Sequence, residues 1–327
     1  MTKRALNWGL LSTAHINRSL IPPLNASKRN RLLAVASRNQ AAADEYARVW
    51  NIPLALGSYE AMIEDPEIDV IDISLPNHLH AEWTIKALQA GKHVLCEKPI
   101  ALTLSEADAM SNASQEAGRV LAEAFMYRHH PQTLKVKEIV DSGMLGALQT
   151  VKGAFTFTLT RKDDIRSRKE TGGGSIWDVG CYPISYARMI MSSEPIEVFG
   201  WQMMGEGGAD VSFFGQLRFS NERYAQFDSG FKSPSRSQIE IVGTEGTLNI
   251  PAPFKPGRNE KIYLTRGEHT ETIKVKGQEL YIGEVEDMAD AILLGKAPLI
   301  SLADSRGNTA AILGLIESAK TGQPVHL

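Results

Sequence analysis

Between Ala5 and Leu121 the chain alternates short apolar runs with stretches of helical periodicity, and this alternation restricts its fold more than any other feature. The runs at 6–11, 32–36, 70–74, 93–96 and 120–124 are too short for buried helices and lack the polar alternation of a half-exposed strand. They read as strands of a parallel sheet covered on both faces. Between them, 16–24 reads as a helix stopped near Pro22-Pro23, 40–50 as a second, and 81–90 as a third closed by Gly91. Thr103 and Glu106 form a capping-box pattern that opens a fourth running towards Gly118. Strands alternating with crossover helices predict a doubly wound, Rossmann-type sheet, with ligands at the carboxyl ends of its strands.

After Phe125 the period changes. A helix ending near Gly143 is followed by strict alternation: Val151, Phe155, Phe157 and Leu159 are interleaved with Lys152, Ala154, Thr156 and Thr158. Val211, Phe213, Leu217 and Phe219 repeat the pattern, as do Ile239 and Ile241. A period of two predicts a large, mainly antiparallel open sheet with one face covered. The stretch 251–259 reads as linker-like, and helices at 283–294 and 303–321 close the structure. The expected division is a dinucleotide-binding domain over 1–124 and a substrate-binding and oligomerisation domain over 125–327. Phe155, Phe157, Phe213 and Phe219 are expected to be split between the faces of the open sheet, so that one face is buried in a homodimer or higher homo-oligomer.

Composition narrows the function classes. With 327 residues, 43% hydrophobic and 22% charged, the chain can bury two cores. A net charge of −3 argues against nucleic acid as a partner. No apolar run approaches membrane-spanning length, and 1–7 lacks the apolar core of a signal peptide, so the sequence reads as cytoplasmic, with no membrane partner. Cys96 and Cys181 are too few for a disulfide framework and have no zinc-ligand spacing around them. They are expected to be small buried hydrophobes, and no metal site is expected.

The chemistry-bearing residues gather at the expected carboxyl edge of the sheet. The fourth apolar run empties into Glu97-Lys98-Pro99, where a lysine can lose part of its hydration and act as a fixed positive charge beside a reacting oxygen. Pro99 restricts Lys98 to extended conformations. The first turn keeps only Gly9 of a glycine-rich phosphate loop, with Ser12, Thr13 and Ala14 in its later part, yet small residues still admit a pyrophosphate at the helix opened by His15 and Ile16. Ser37-Arg38 ends the second strand with a hydroxyl and a guanidinium, suited to a ribose 2′-phosphate, where an acid would suit a free hydroxyl; this favours NADP, with NAD possible. In Leu75-Pro76-Asn77-His78-Leu79-His80, Asn77 and His80 either meet the cofactor or cap the next helix.

Within the second region lies Gly172-Gly173-Gly174-Ser175-Ile176-Trp177-Asp178-Val179-Gly180-Cys181-Tyr182. The glycines permit close approach of a loop to a ligand, and Asp178 and Tyr182 share a face if the segment is helical. A tyrosine exchanges a proton with a substrate oxygen when a cation such as Lys98 stands near its phenol. Arg166 and Arg168, in the charged loop before the glycines, either reach substrate or cofactor or are solvated charges, and the second reading is favoured.

Together these motifs resemble the glucose-fructose oxidoreductase and inositol dehydrogenase family of NAD(P)-dependent sugar oxidoreductases, over nearly the whole chain. The resemblance rests on the degenerate loop from Gly9 to Ala14, on Leu75-Pro76-Asn77, on Glu97-Lys98-Pro99, and on the three glycines followed by Asp178 and Tyr182. It implies a catalytic role for Lys98 and Asp178. Many members have histidine at the position of Tyr182; the tyrosine form is similar to the branch containing dimeric dihydrodiol dehydrogenase and NADP-dependent xylose dehydrogenase, and implies that Tyr182 is the proton donor. The family further implies hydride transfer to or from a sugar, polyol or cyclic diol. A non-catalytic NAD(P)-binding sensor or regulatory protein of the same fold is the competing reading. The chain departs from glucose-fructose oxidoreductase in showing no export signal or N-terminal arm, so exchange of NADP is expected rather than permanent retention.

Overall fold

The computed structural model describes residues 5–161 and 163–327. Residues 1–4, on which part of the signal-peptide reading falls, and Lys162 lie outside the described residues. In chain order the elements are β1 (Leu6–Leu11), α1 (Asn17–Ala26), β2 (Asn30–Ala36), α2 (Gln40–Trp50), β3 (Leu54–Leu56), α3 (Tyr59–Glu64), β4 (Val70–Ile73), α4 (His80–Gln89), β5 (His93–Glu97), α5 (Leu104–Ala117) and β6 (Leu121–Ala124). There follow α6 (Pro131–Asp141), β7 (Leu148–Thr158), α7 (Cys181–Met191), β8 (Glu197–Met204), β9 (Asp210–Phe219), β10 (Arg223–Gly230), β11 (Lys232–Gly243), β12 (Thr247–Ile250), β13 (Asn259–Arg266), β14 (His269–Lys276), α8 (Ile282–Leu294), α9 (Leu302–Thr321) and β15 (Val325–His326).

The chain forms two compact units, Met1–Met126 with Tyr281–Arg306, and Tyr127–Leu280 with Gly307–Leu327. The expected division assigned everything after 124 to the second domain. The structure instead returns α8 to the first unit, because Arg29, just before β2, grips it: the guanidinium pairs with Glu286 and Asp290, its Nε lying 2.8 Å from Glu286 Oε2.

In the first unit six parallel strands run in the order β3-β2-β1-β4-β5-β6, the expected Rossmann-type sheet. β3 and α3 were not foreseen: β3 is three half-buried residues, too short for a period to register. The predicted stop at Pro22-Pro23 does not occur. α1 runs through both prolines to Ala26, and although each lacks an N–H for the helix ladder, burial of Leu20, Ile21, Pro23 and Leu24 holds the helix on the sheet. The capping box forms as read, with Thr103 Oγ1 accepting from Glu106 N–H and Glu106 Oε2 accepting from Thr103 N–H, 3.1 and 3.0 Å. Gly118 ends α5 at φ 60°.

In the second unit nine strands run in the order β14-β13-β12-β11-β7-β10-β9-β8-β15, antiparallel except for the β7–β10 pair. Register corrects the expected split of the phenylalanines. Phe155 stands opposite Ser229, and Ser229 opposite Phe213, so the two rings lie on one face. Phe157 and Phe219 share their strands' parity, and that face is covered: Phe155, Phe213 and Phe219 are buried. The other face carries exposed Trp201, Phe214 and Tyr224. Among the described residues no helix is long and apolar enough to cross a membrane.

Candidate functional site

Parallel pairing brings the carboxyl ends of β1, β2, β4 and β5 to one edge, with Leu11 opposite Ala36, Leu10 opposite Asp72 and Ile73 opposite Cys96. The turn Ser12 to Ile16, the Ser37-Arg38 pair, Leu75-Pro76-Asn77 and Glu97-Lys98 all follow or close these strands. Gly9 lies earlier, within β1, and its missing side chain serves packing, since a Cβ there would meet Met62 Sδ at 2.2 Å.

Ser12 shows how the turn after β1 is held without the later glycines of a glycine-rich loop. It adopts φ 155°, and its Oγ lies 3.0 Å from both the carbonyl oxygen and the hydroxyl of Ser74, tying β1 to the residue after β4. Ala14 N–H donates to Ser12 Oγ (3.1 Å) and Asn17 Nδ2 to Ser12 O (2.8 Å), so side chains fix the turn that leads into α1. Arg38 is exposed beside the Tyr59 hydroxyl, whose pKa burial raises and Arg38 partly restores. Asn39 takes up capping of α2, accepting from Ala42 N–H at 3.2 Å.

His80 requires a correction. Its side chain was a candidate cofactor contact, but it is fully buried, with Nδ1 2.8 Å from Pro99 O and Nε2 2.9 Å from Leu75 O. It therefore braces the loop after β4 against the loop after β5. Burial lowers its pKa and the two carbonyls oppose that shift; a ring with one proton donates to one of them, and a ring with two donates to both. Asn77 and Lys98 are half-buried at this edge, and Lys98 N–H lies 3.3 Å from Glu97 Oε2.

Beneath the edge lie carboxyls that the sequence did not reveal as a group. Asp72 on β4 and Glu284 on α8 are buried, and burial together with the Glu97 charge pushes both pKa values well up. Glu284 Oε2 has no hydrogen-bond partner. Cys96 and Cys181 are both buried and unbridged, as expected. Among the described residues no group of three or more His, Cys, Asp or Glu is arranged to hold a metal ion.

In the second unit the glycine run leads into a π-helical turn, Ile176–Gly180, that continues as α7. Asp210 supports the start of this turn: its Oδ2 accepts from the Ser175 hydroxyl and from Ile176 N–H at 3.1 Å, satisfying a donor at the helix opening. Burial raises the Asp210 pKa against those bonds. Tyr182, 4% exposed, packs its ring 5.3 Å from Phe155, 5.6 Å from Phe254 and 5.7 Å from Tyr127. Phe254 comes from the stretch expected to be a linker. That stretch delivers a fully buried aromatic that stacks on Phe155 at 5.0 Å, and an aromatic between Pro253 and Pro256 was the signal for it. Asp178 is 19% exposed with Oδ2 3.2 Å from Arg166 Nε; Arg166 is exposed, as expected of a solvated charge, and is in addition paired with this carboxylate. Arg168 pairs with exposed Asp163 at 3.3 Å.

A family model described as an oxidoreductase family with an NAD-binding Rossmann fold matches residues 6–125, and the GFO/IDH/MocA C-terminal domain model matches residues 133–249. The chain is 37% identical over 327 residues to a D-xylose 1-dehydrogenase (NADP(+)) of Haloferax volcanii, covering 98% of this chain and 99% of that one. It is 30% identical over 314 residues to a trans-1,2-dihydrobenzene-1,2-diol dehydrogenase of Xenopus laevis, covering 92% and 94%. Among solved structures, a 3-ketoreductase from Actinomadura kijaniata in complex with NADP and TDP-benzene superposes with a TM-score of 0.91 at 27% identity, covering 96% and 98%. An aldose-aldose oxidoreductase from Caulobacter crescentus complexed with glycerol gives 0.92 at 25% identity, covering 99% and 100%.

The buried acids generate a pH-dependent prediction. A carboxyl whose folded pKa is raised binds its proton more tightly in the native state, so its contribution to stability falls as pH rises from about 4 through the raised value. Glu284→Gln removes that loss and keeps the size and shape of the side chain. The variant is expected to be more stable than the parent at about pH 8, with the difference shrinking towards pH 5; urea denaturation across this range checks it, and a pH-independent difference contradicts it.

Proposed function

We propose, from the premise that this chain belongs to the GFO/IDH/MocA family of oxidoreductases, that it is an NADP-dependent dehydrogenase or reductase of sugars, polyols or cyclic diols. The observation that carries the reading is Tyr182, buried among aromatic rings at the start of α7 and one turn after Asp178. A phenol so placed serves proton exchange with a substrate oxygen.

The residues of the first unit fit a dinucleotide phosphate. The Ser12 hydroxyl is turned to Ser74, and the turn from Ser12 to Ile16, with small Ser12, Thr13 and Ala14, leads to the N-terminus of α1, where a pyrophosphate is favoured. Ser37 and Arg38 would take the 2′-phosphate, and no acid follows β2 to repel it. Leu75, Pro76, Asn77, Glu97 and Lys98 would line the nicotinamide end. When bound, NADP supplies the acceptor or donor of hydride.

The proton is the protein's part. Tyr182 Oη exchanges it with the oxygen on the reacting carbon, and Lys98 Nζ brings the positive charge that helps a phenol release its proton near neutral pH. Asp178 accepts a bond from a second substrate hydroxyl or fixes Tyr182. The aldose and diol substrates named for the relatives define the class to be tried. The exposed Trp201, Phe214 and Tyr224 face of the open sheet would be covered in a homodimer.

The purified protein is expected to reduce NADP with at least one member of a panel of aldoses, polyols and trans-diols, followed at the reduced-nicotinamide absorbance band. No turnover in either direction across the panel would sink the reading. NADP should bind more tightly than NAD, and Arg38→Ala should weaken NADP by about 10- to 100-fold while sparing NAD; equal binding of both by the parent contradicts the assignment of Arg38. Phe214→Glu should convert a dimer to monomer in sedimentation, and a parent that sediments as a monomer removes the dimer.

A further inference from the structure

Gly172, Gly173 and Gly174 were read as room for a ligand, but what lies against them is another part of the chain. Gly172 N–H donates to Lys169 O (3.0 Å), Gly173 N–H to Arg168 O (2.9 Å) and Gly174 N–H to Arg166 O (2.8 Å). A Cβ on Gly173 would stand 2.5, 2.6 and 2.7 Å from the carbonyl oxygens of Arg166, Arg168 and Ile165. All three are backbone atoms, so no flexible side chain can give way and only glycine fits. The Thr171 hydroxyl adds a bond to Arg168 O at 2.9 Å, and Asp164 Oδ1 accepts from Arg166 N–H at 3.0 Å. The loop from Asp164 to Arg168 is thereby fixed along its length.

From this loop the Arg166 guanidinium meets two carboxylates. Its Nε lies 3.2 Å from Asp178 Oδ2 and its Nη1 3.3 Å from Asp164 Oδ2, while its carbon stands 6.0 Å from the Phe157 ring centroid. The Arg166 side chain is 45% exposed, and an ion pair so open to water adds little to folding stability. Its consequence is local: it fixes where the Asp178 carboxylate stands. We infer that Arg166 is a positioning residue, which holds Asp178 in the orientation that receives a substrate hydroxyl, and that the three glycines seat the loop that carries it.

This inference rests on the proposed role of Asp178 in meeting substrate, and it deepens it. One guanidinium matched by two carboxylates offers no surplus positive charge, so the group suits a hydroxyl of a neutral polyol or diol better than a phosphate. Arg166 acts through Asp178, and its loss should have no effect of its own once Asp178 is gone.

Steady-state rates with NADP and D-xylose, or with the panel compound the parent turns over fastest, test this in the parent, Arg166→Gln, Arg166→Lys, Asp178→Asn and the Arg166→Gln/Asp178→Asn double variant. Arg166→Gln is expected to raise KM about tenfold with kcat within about threefold, as loss of binding shared by ground and transition states does. Arg166→Lys should recover most of that loss, and NADP affinity should not change in either variant. In the Asp178→Asn background Arg166→Gln should cost less than about twofold. A parent-like KM in Arg166→Gln, or a full tenfold further loss in the Asp178→Asn background, overturns the inference while leaving the oxidoreductase reading intact. A parent that turns over nothing overturns both. Circular dichroism controls for folding, and Arg166→Met, which keeps the aliphatic stem, replaces Arg166→Gln if the latter misfolds.

Discussion

The carboxyl edge of the first unit depends on one buried ring. A parallel sheet leaves each strand end as a separate loop, and nothing in the ladder fixes the loop after β4 relative to the loop after β5. His80 does so, fully buried between Leu75 O and Pro99 O. Loops bearing chemistry are ordinarily the mobile part of an α/β fold; here the residues on either side of Lys98 are tied to the sheet, with Ile100 N–H also donating to Glu123 on β6 at 2.9 Å. Ser12 performs the matching task between β1 and β4. The edge is thus assembled by side chains bonding to loops, and its few glycines are not what shapes it.

The second unit solves a similar problem with different means. A helix start buried beneath a sheet leaves backbone N–H groups that water cannot reach. Asp210, itself destabilised as an anion by burial, accepts from the Ser175 hydroxyl and Ile176 N–H and so fixes the beginning of the segment that carries Asp178 and Tyr182. Gly174 makes this possible, since at φ 130° a Cβ would lie 2.3 Å from Asp210 Oδ1. Tyr182 is then packed by rings from three places in the sequence: Tyr127, Phe155 and Phe254. Such surroundings fix the ring plane of Tyr182.

Much of this was legible in the sequence where the signal is local. The parallel strands, the α5 capping box and the open sheet follow from period and from short-range chemistry, and Glu97-Lys98-Pro99 and Asp178 with Tyr182 stood out because their spacing has a direct structural meaning. What escaped was set by contacts far apart in the chain. Nothing near Glu284 tells that its carboxyl shares an interior with Asp72, and Asp210 sits 34 positions from the Ile176 N–H it accepts. Phe213 and Phe155 fall on one face through the register of β9 and β7 on β10, which alternation within each strand cannot supply. Pro22-Pro23 misled because proline carries a strong local rule, and the burial of α1 overrides it.

The account's central claim is the proposal that Lys98 and Tyr182 serve one proton transfer. Hydride-transfer rates in a cycle of Lys98→Met, Tyr182→Phe and the double variant test it most directly. If the two side chains act as a unit, each single change should slow the step strongly, leave NADP affinity nearly unchanged in Tyr182→Phe, and combine to much less than the product of the separate losses. Separate losses that multiply in the double variant would contradict the claim, because they would mean that the lysine and the tyrosine act independently.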